Sequence, residues 1–201
     1  MNIGVLGGTF DPIHVGHLIV AEEARTRLGF QEVLFVPAGQ PLLKPDRNIT
    51  PVNHRVEMVR RAISDNPHFK VSTLEVERSG PSYTVDTMTA LRQQLGDQVS
   101  LFFLLGRDNL AELPSWKDPQ NLTRLCKLVV APRLGSGDLK HLETAIPGLL
   151  DSVIQLDMPV IGISSSGIRQ RLAEGLSIRY LVPAEVEEYV AEHKIYPRSG
   201  G

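Results

Sequence analysis

Only one cysteine, Cys126, occurs among the 201 residues. No intramolecular disulfide and no cysteine-built zinc site can form from it. It lies in the mostly apolar run Leu125–Val130 and reads as an inert core thiol. Long hydrophobic runs are missing too, and none approaches the roughly 18 residues a membrane span needs. The chain starts Met1-Asn2 and passes directly into a strand, without the basic region, apolar stretch and cleavage site of a secretory signal. These absences predict a cytoplasmic protein with no membrane partner. There is no excess of one charge: 21 Lys and Arg against 23 Asp and Glu give a formal net charge of −2. That argues against a nucleic-acid partner held by bulk charge, and leaves room for a local cationic pocket. Aromatic residues make up 5% of the chain, with Trp116 the only tryptophan. A lone tryptophan is more often packing than ligand stacking. Two common nucleotide signatures are also absent. Gly4, Gly7 and Gly8 lack the Gly-x-Gly-x-x-Gly spacing, and the second strand ends Val36-Pro37 with no acidic residue for a ribose. The P-loop Lys-Ser/Thr pattern does not occur.

What is there is an ordinary soluble composition, 42% hydrophobic and 22% charged, long enough for one well-packed domain over 1–201. Short apolar or β-branched runs predict strands at Ile3–Leu6, Val33–Val36, Lys70–Leu74, Ser100–Leu105, Lys127–Ala131 and Val153–Leu156. Helical periodicity is expected at Leu18–Leu28, Pro51–Ser64, Thr84–Leu95, Ser166–Ala173 and Ala184–Glu192. Alternating strands and helices predict an α/β fold, a doubly wound Rossmann-like parallel sheet with helices on both faces. A helical C-terminal part begins at about 164. The proline-rich stretch Pro37–Pro51 reads as a long surface loop and the best candidate for a moving part.

The most informative segment is Gly7-Gly8-Thr9-Phe10-Asp11-Pro12-Ile13-His14-Val15-Gly16-His17. It sits where the first strand hands over to the first helix, the edge at which open α/β sheets bind ligands. His14 and His17 are three apart and share one face of the helix start. Free N–H groups and a partial positive charge are already present there. With two imidazoles added, the turn suits a phosphate. A zinc site at the same pair would need a third ligand. As a plain reading, the segment is a glycine turn followed by two surface histidines.

A second cluster is Ile163-Ser164-Ser165-Ser166-Gly167-Ile168-Arg169. The serines are natural helix caps. Ile168 and Leu172 face the core, so Arg169 turns away from it, in a first turn where a cation opposes the helix dipole. An anion bound there would explain the arginine, and hydroxyls with a guanidinium suit a polyphosphate. A third group comprises Tyr83-Thr84, then Gly106-Arg107-Asp108, then Trp116. Asp108 follows a strand and can hold a ribose hydroxyl or cap a short helix. Lys44, flanked by prolines, is a phosphate clamp or a solvated side chain. His54-Arg55 opens a helix and reads as a solvated face. Arg133 follows a strand and can reach the same edge.

Together these clusters resemble the HIGH-type nucleotidylyltransferase superfamily. The match lies in Gly7–His17 paired with Ile163–Arg169. The order Pro81-Ser82-Tyr83-Thr84, Gly106-Arg107-Asp108 and Leu113-Pro114-Ser115-Trp116 resembles the branch that acts on nicotinate mononucleotide in NAD biosynthesis. The resemblance runs from Met1 to about His193. The chain departs from it at Ser166, where threonine is frequent, at Gly167, and at Lys117, where an aromatic is frequent. The resemblance implies transfer of an adenylyl group from ATP to the mononucleotide phosphate, with release of pyrophosphate and no covalent intermediate. It implies that His14, His17 and Arg169 are catalytic. It implies that Gly8, Thr9, Phe10, Gly106, Asp108, Ser165 and Ser166 bind ATP with them, and that Tyr83, Thr84, Trp116 and Lys44 hold the mononucleotide. Magnesium would arrive with ATP rather than on protein ligands. The alternatives are the same chemistry on nicotinamide mononucleotide or phosphopantetheine, or a non-catalytic nucleotide sensor. A homodimer stays open.

Overall fold

The computed structural model describes residues 1–41, 49–133 and 140–197, with 140 and 141 described in backbone only. Lys44 lies outside the described residues. Among the described residues, six strands form one parallel sheet: β1 (Asn2–Gly8), β2 (Glu32–Pro37), β3 (Phe69–Val71), β4 (Ser100–Gly106), β5 (Lys127–Ala131) and β6 (Val153–Gln155), in the order β3-β2-β1-β4-β5-β6. The helices are α1 (Val15–Leu28), α2 (Val52–Ala62), α3 (Leu74–Glu77), α4 (Thr84–Leu95), α5 (Arg107–Glu112), α6 (Pro119–Leu125), α7 (Lys140–Ala145), α8 (Leu149–Ser152), α9 (Ser165–Ala173) and α10 (Ala184–Glu192).

Strand side chains alternate between faces, and both faces are covered. Leu6, Phe35, Leu104 and Val129 enter one core with residues of α1, α2, α9 and α10. Val5, Val36, Phe103 and Val130 enter the other with residues of α4 and α6. A parallel strand buried on both sides reads as a continuous apolar run, which is why the central strands were legible. Chain order reverses at β1, with β2 on one side and β4 on the other: Val5 pairs with both Leu34 and Phe103. The crevice beyond the C-terminal ends of β1 and β4 is therefore the switch point of the sheet.

Two boundaries differ from expectation by three residues, the rest by two at most. The strand expected over Lys70–Leu74 is Phe69–Val71, because the Val76 N–H turns back onto the Thr73 carbonyl and starts α3. The first helix begins at Val15 rather than Leu18, so both histidines belong to its N-terminus.

Candidate active site

β1 delivers Gly8 to the crevice, and the loop from Thr9 to His14 turns the chain into α1. Phe10 adopts a left-handed backbone, φ 50°. For a bulky residue that conformation costs on the order of 1 kcal/mol. Burial of the ring offsets it: Phe10 is 2% exposed and meets His17 edge-on at 5.1 Å. A Cβ on Gly8 would come within 3.1 Å of the Phe10 ring, so a side chain there would press on that ring.

His14 precedes α1 and His17 stands in its first turn. Their rings stack at 3.7 Å. The His14 backbone N–H donates to His17 Nδ1 at 3.2 Å. Nδ1 is thereby an acceptor, so the neutral ring carries its proton on Nε2. Burial, with Arg133 adding repulsion, lowers the His14 pKa from 6.5 to about 4. His17 is also held well below its ordinary value, first by burial and then by His14 and Arg133. Both rings are neutral near pH 7, and each can offer an N–H without carrying charge.

A cavity of about 600 Å³ opens at this edge, within the range of small-molecule sites. Gly8, Thr9, Phe10, His14 and His17 line one part of it. Ser165 and Ser166 at the start of α9 line it too, with the Ser164 hydroxyl capping that helix by accepting from the Gly167 N–H at 3.1 Å. Gly106 and Asp108, after β4, form another wall. A Cβ on Gly106 would fall 2.5 Å from an Asp108 oxygen, so glycine lets the carboxylate fold back over the strand end. Asp108 also meets Arg133 Nη1 at 3.3 Å. Both are about half exposed, and such a pair contributes at most about 1 kcal/mol. Tyr83, Thr84 and Trp116 complete the cavity as an aromatic region. The indole N–H of Trp116 is buried without a hydrogen-bond partner. Lys117 lies 4.6 Å above the Tyr83 ring and pairs with Asp86 at 2.8 Å.

Arg169 is the described candidate that does not form the cavity wall. It stands behind the loop, donating from Nη1 to the Asp11 carbonyl at 2.5 Å and lying 3.8 Å from the Asp11 carboxylate. That carboxylate offsets the unfavourable position of a cation in a first turn.

Arg55 is the main surprise. Expected on a solvated face, it is 2% exposed. Its Nε donates to the Thr50 carbonyl at 2.9 Å and its Nη1 to the Thr9 carbonyl at 2.8 Å. Burial lowers its pKa, and the Asp11 charge opposes that shift. A signal was available, because Arg55 lies between Val52 and Val59 at helical spacing and so falls on the buried stripe. His54 is half-buried and bonded through Nδ1 to the Tyr189 hydroxyl at 2.9 Å. Tyr196 was also missed, and no periodicity near the end of the chain announces it.

A doubly wound sheet with a donor-lined crevice at its switch point defines a nucleotide-binding α/β protein. The chain belongs to the cytidylyltransferase-like family, whose model matches residues 5–171. A relative from Dehalococcoides mccartyi (strain CBDB1) is 48% identical over 200 residues, covering 98% of each chain, and is named probable nicotinate-nucleotide adenylyltransferase. One from Thermomicrobium roseum, of the same name, is 49% identical over 97% of this chain and 91% of the relative. With these relatives, the chain is a member of the nicotinate-nucleotide adenylyltransferases. The fold matches a Plasmodium falciparum nicotinic acid mononucleotide adenylyltransferase solved with APC, at a TM-score of 0.78 and 20% identity, over 97% of this chain and 96% of that one.

Proposed function

We propose that the protein transfers the adenylyl group of ATP to nicotinate mononucleotide, forming nicotinate adenine dinucleotide and pyrophosphate. The observation that carries this reading is one cavity with two chemistries. Its lining takes imidazoles, hydroxyls and a helix N-terminus from segments packed with one core, around Phe10 and Ile168, and Tyr83, Thr84 and Trp116 from segments packed on the other. A polyphosphate suits the first and a flat pyridine ring the second.

In the reaction, an oxygen of the mononucleotide phosphate attacks the α-phosphorus of ATP in line. A new P–O bond forms as the bond to the β-phosphate oxygen breaks, and pyrophosphate leaves with the electron pair. The attacking phosphate is largely ionised near pH 7, so no general base is needed. Catalysis reduces to placement and charge stabilisation. His14 and His17, neutral, donate to the phosphate oxygens as charge develops. At the α9 N-terminus, whose first N–H groups have no helical partner, Ser165 and Ser166 hold the departing phosphates, and Arg169 reaches them beside the Ser166 hydroxyl, 3.5 Å from its Nη2, while Gly8, Thr9 and Phe10 shape the approach. Gly106 and Asp108 bind the adenosine ribose. Trp116 stacks on the pyridine, flanked by Tyr83 and Thr84. Lys44 is assigned to the mononucleotide by resemblance. Among the described residues no group of three or more His, Cys, Asp or Glu gathers as a metal site. The donor set of the cavity suits phosphate oxygens, and magnesium is taken as part of the ATP substrate.

A single displacement inverts the α-phosphorus. The test is the reaction with one diastereomer of α-thio-ATP, followed by assignment of the product's configuration. Inversion is expected, and retention would mean a covalent intermediate that this mechanism excludes.

A further inference from the structure

The chain after α10 returns to the active-site loop. Tyr196 Oη donates to Asp11 Oδ1 at 2.7 Å, and the Thr50 side chain hydrogen-bonds the same phenol. Asp11 is 5% exposed, so its carboxylate depends on protein partners. Its second oxygen faces Arg169 at 3.8 Å. The loop backbone is gripped from the same side: Arg169 Nη1 donates to the Asp11 carbonyl and the Ser165 hydroxyl to the Pro12 carbonyl, at 2.5 and 2.8 Å. Arg55 takes the Thr9 carbonyl at 2.8 Å. Segments far apart in sequence therefore converge on the Thr9–Pro12 loop.

We propose that Tyr196 is a positioning residue for adenylyl transfer, acting through Asp11 on Arg169. The inference rests on the reading above, in which Arg169 holds the departing phosphates. Asp11 shares its two oxygens between a neutral donor and a cation. While Tyr196 satisfies Oδ1, Arg169 is held at ion-pair distance and its Nη2 stays turned to the Ser166 hydroxyl, 3.5 Å away at the cavity wall. Without the phenol hydroxyl, a buried carboxylate oxygen has lost its donor, and the adjacent cation is what can replace it. Arg169 is then drawn onto Asp11 and away from the phosphates. Burial raises the Tyr196 pKa, so the phenol remains a donor across the working pH range.

The test is a double-mutant cycle with Tyr196→Phe and Arg169→Ala. It is read twice: as kcat/KM for ATP, and by calorimetry as the dissociation constant of magnesium pyrophosphate. Tyr196→Phe is expected to weaken both by on the order of tenfold, the size of one hydrogen bond to a charged group. The KM for the mononucleotide should stay within about twofold. In the Arg169→Ala background, Tyr196→Phe should change neither readout further. Full, multiplicative effects of both substitutions would overturn the proposal. So would a Tyr196→Phe enzyme with a lower Tm and unaltered constants, since a mere brace would give that. The pyrophosphate arm needs no turnover. If the wild type binds pyrophosphate but transfers nothing, the reaction assignment fails while the cycle still decides the role of Tyr196.

Discussion

His17 shows how much of this site turns on single side chains. It accepts the His14 backbone N–H through Nδ1, which leaves Nε2 as its donor. Replacing it by alanine removes one preorganised donor, so kcat should fall by on the order of 10²–10³. Near-wild-type turnover would remove it from the mechanism. His14 makes a pH prediction. Its pKa is about 6.5 unfolded and about 4 folded, so between those values the unfolded chain binds more protons. Stability is then full above pH 6.5 and is lost as pH falls toward 4. His17 is shifted in the same direction. Thermal melts from pH 7 to 4 should show Tm falling through this window, with a shallower fall in His14→Gln. Equal slopes would mean His14 is not buried as neutral imidazole. Cys126 is buried and its thiol is pushed up to about 12, so a disulfide reagent should leave the folded protein unlabelled at pH 8.

Among the elements, α2 shows a polar residue doing a core residue's work. Its stripe of Val52, Val56 and Val59 was legible by period, but Arg55 was read by its charge and assigned to solvent. What keeps it inside is the pair of carbonyls, Thr9 and Thr50, which no sequence pattern displays. Lysine retains the charge but cannot span both acceptors. Arg55→Lys should therefore cost about 2 kcal/mol, read from the urea midpoint. An unchanged midpoint would contradict that geometry. The short helices failed for a different reason. α6, α7 and α8 hold only one or two turns, too few for a period to appear. At α6 the N-cap Asp118 is followed by Pro119 at the first helical position, a start signal that was missed. The edge strand β3 was placed one residue late and run into α3, where the apolar run outlasts the hydrogen-bonded ladder.

At the scale of the whole molecule, the order β3-β2-β1-β4-β5-β6 brings together Gly8 to His17, Tyr83, Asp108, Trp116 and Ser164 to Ser166. Each segment was visible as a motif, because turns after strands carry distinctive residues. Their sharing of one cavity was an inference from topology. The support behind them was legible only in part: the period placed Arg55 on the buried stripe, but its carbonyl partners and the Tyr196–Asp11 hydrogen bond leave no mark in the sequence. The relatives name the reaction class, and the cavity lining offers donors for phosphate beside an aromatic region. The measurement that tests this most directly is pyrophosphate release from ATP and magnesium, run in parallel with nicotinate mononucleotide, nicotinamide mononucleotide and phosphopantetheine as acceptors. Release that strongly prefers the nicotinate form is the predicted result, and preference for either other acceptor, or no release with any of them, would contradict it.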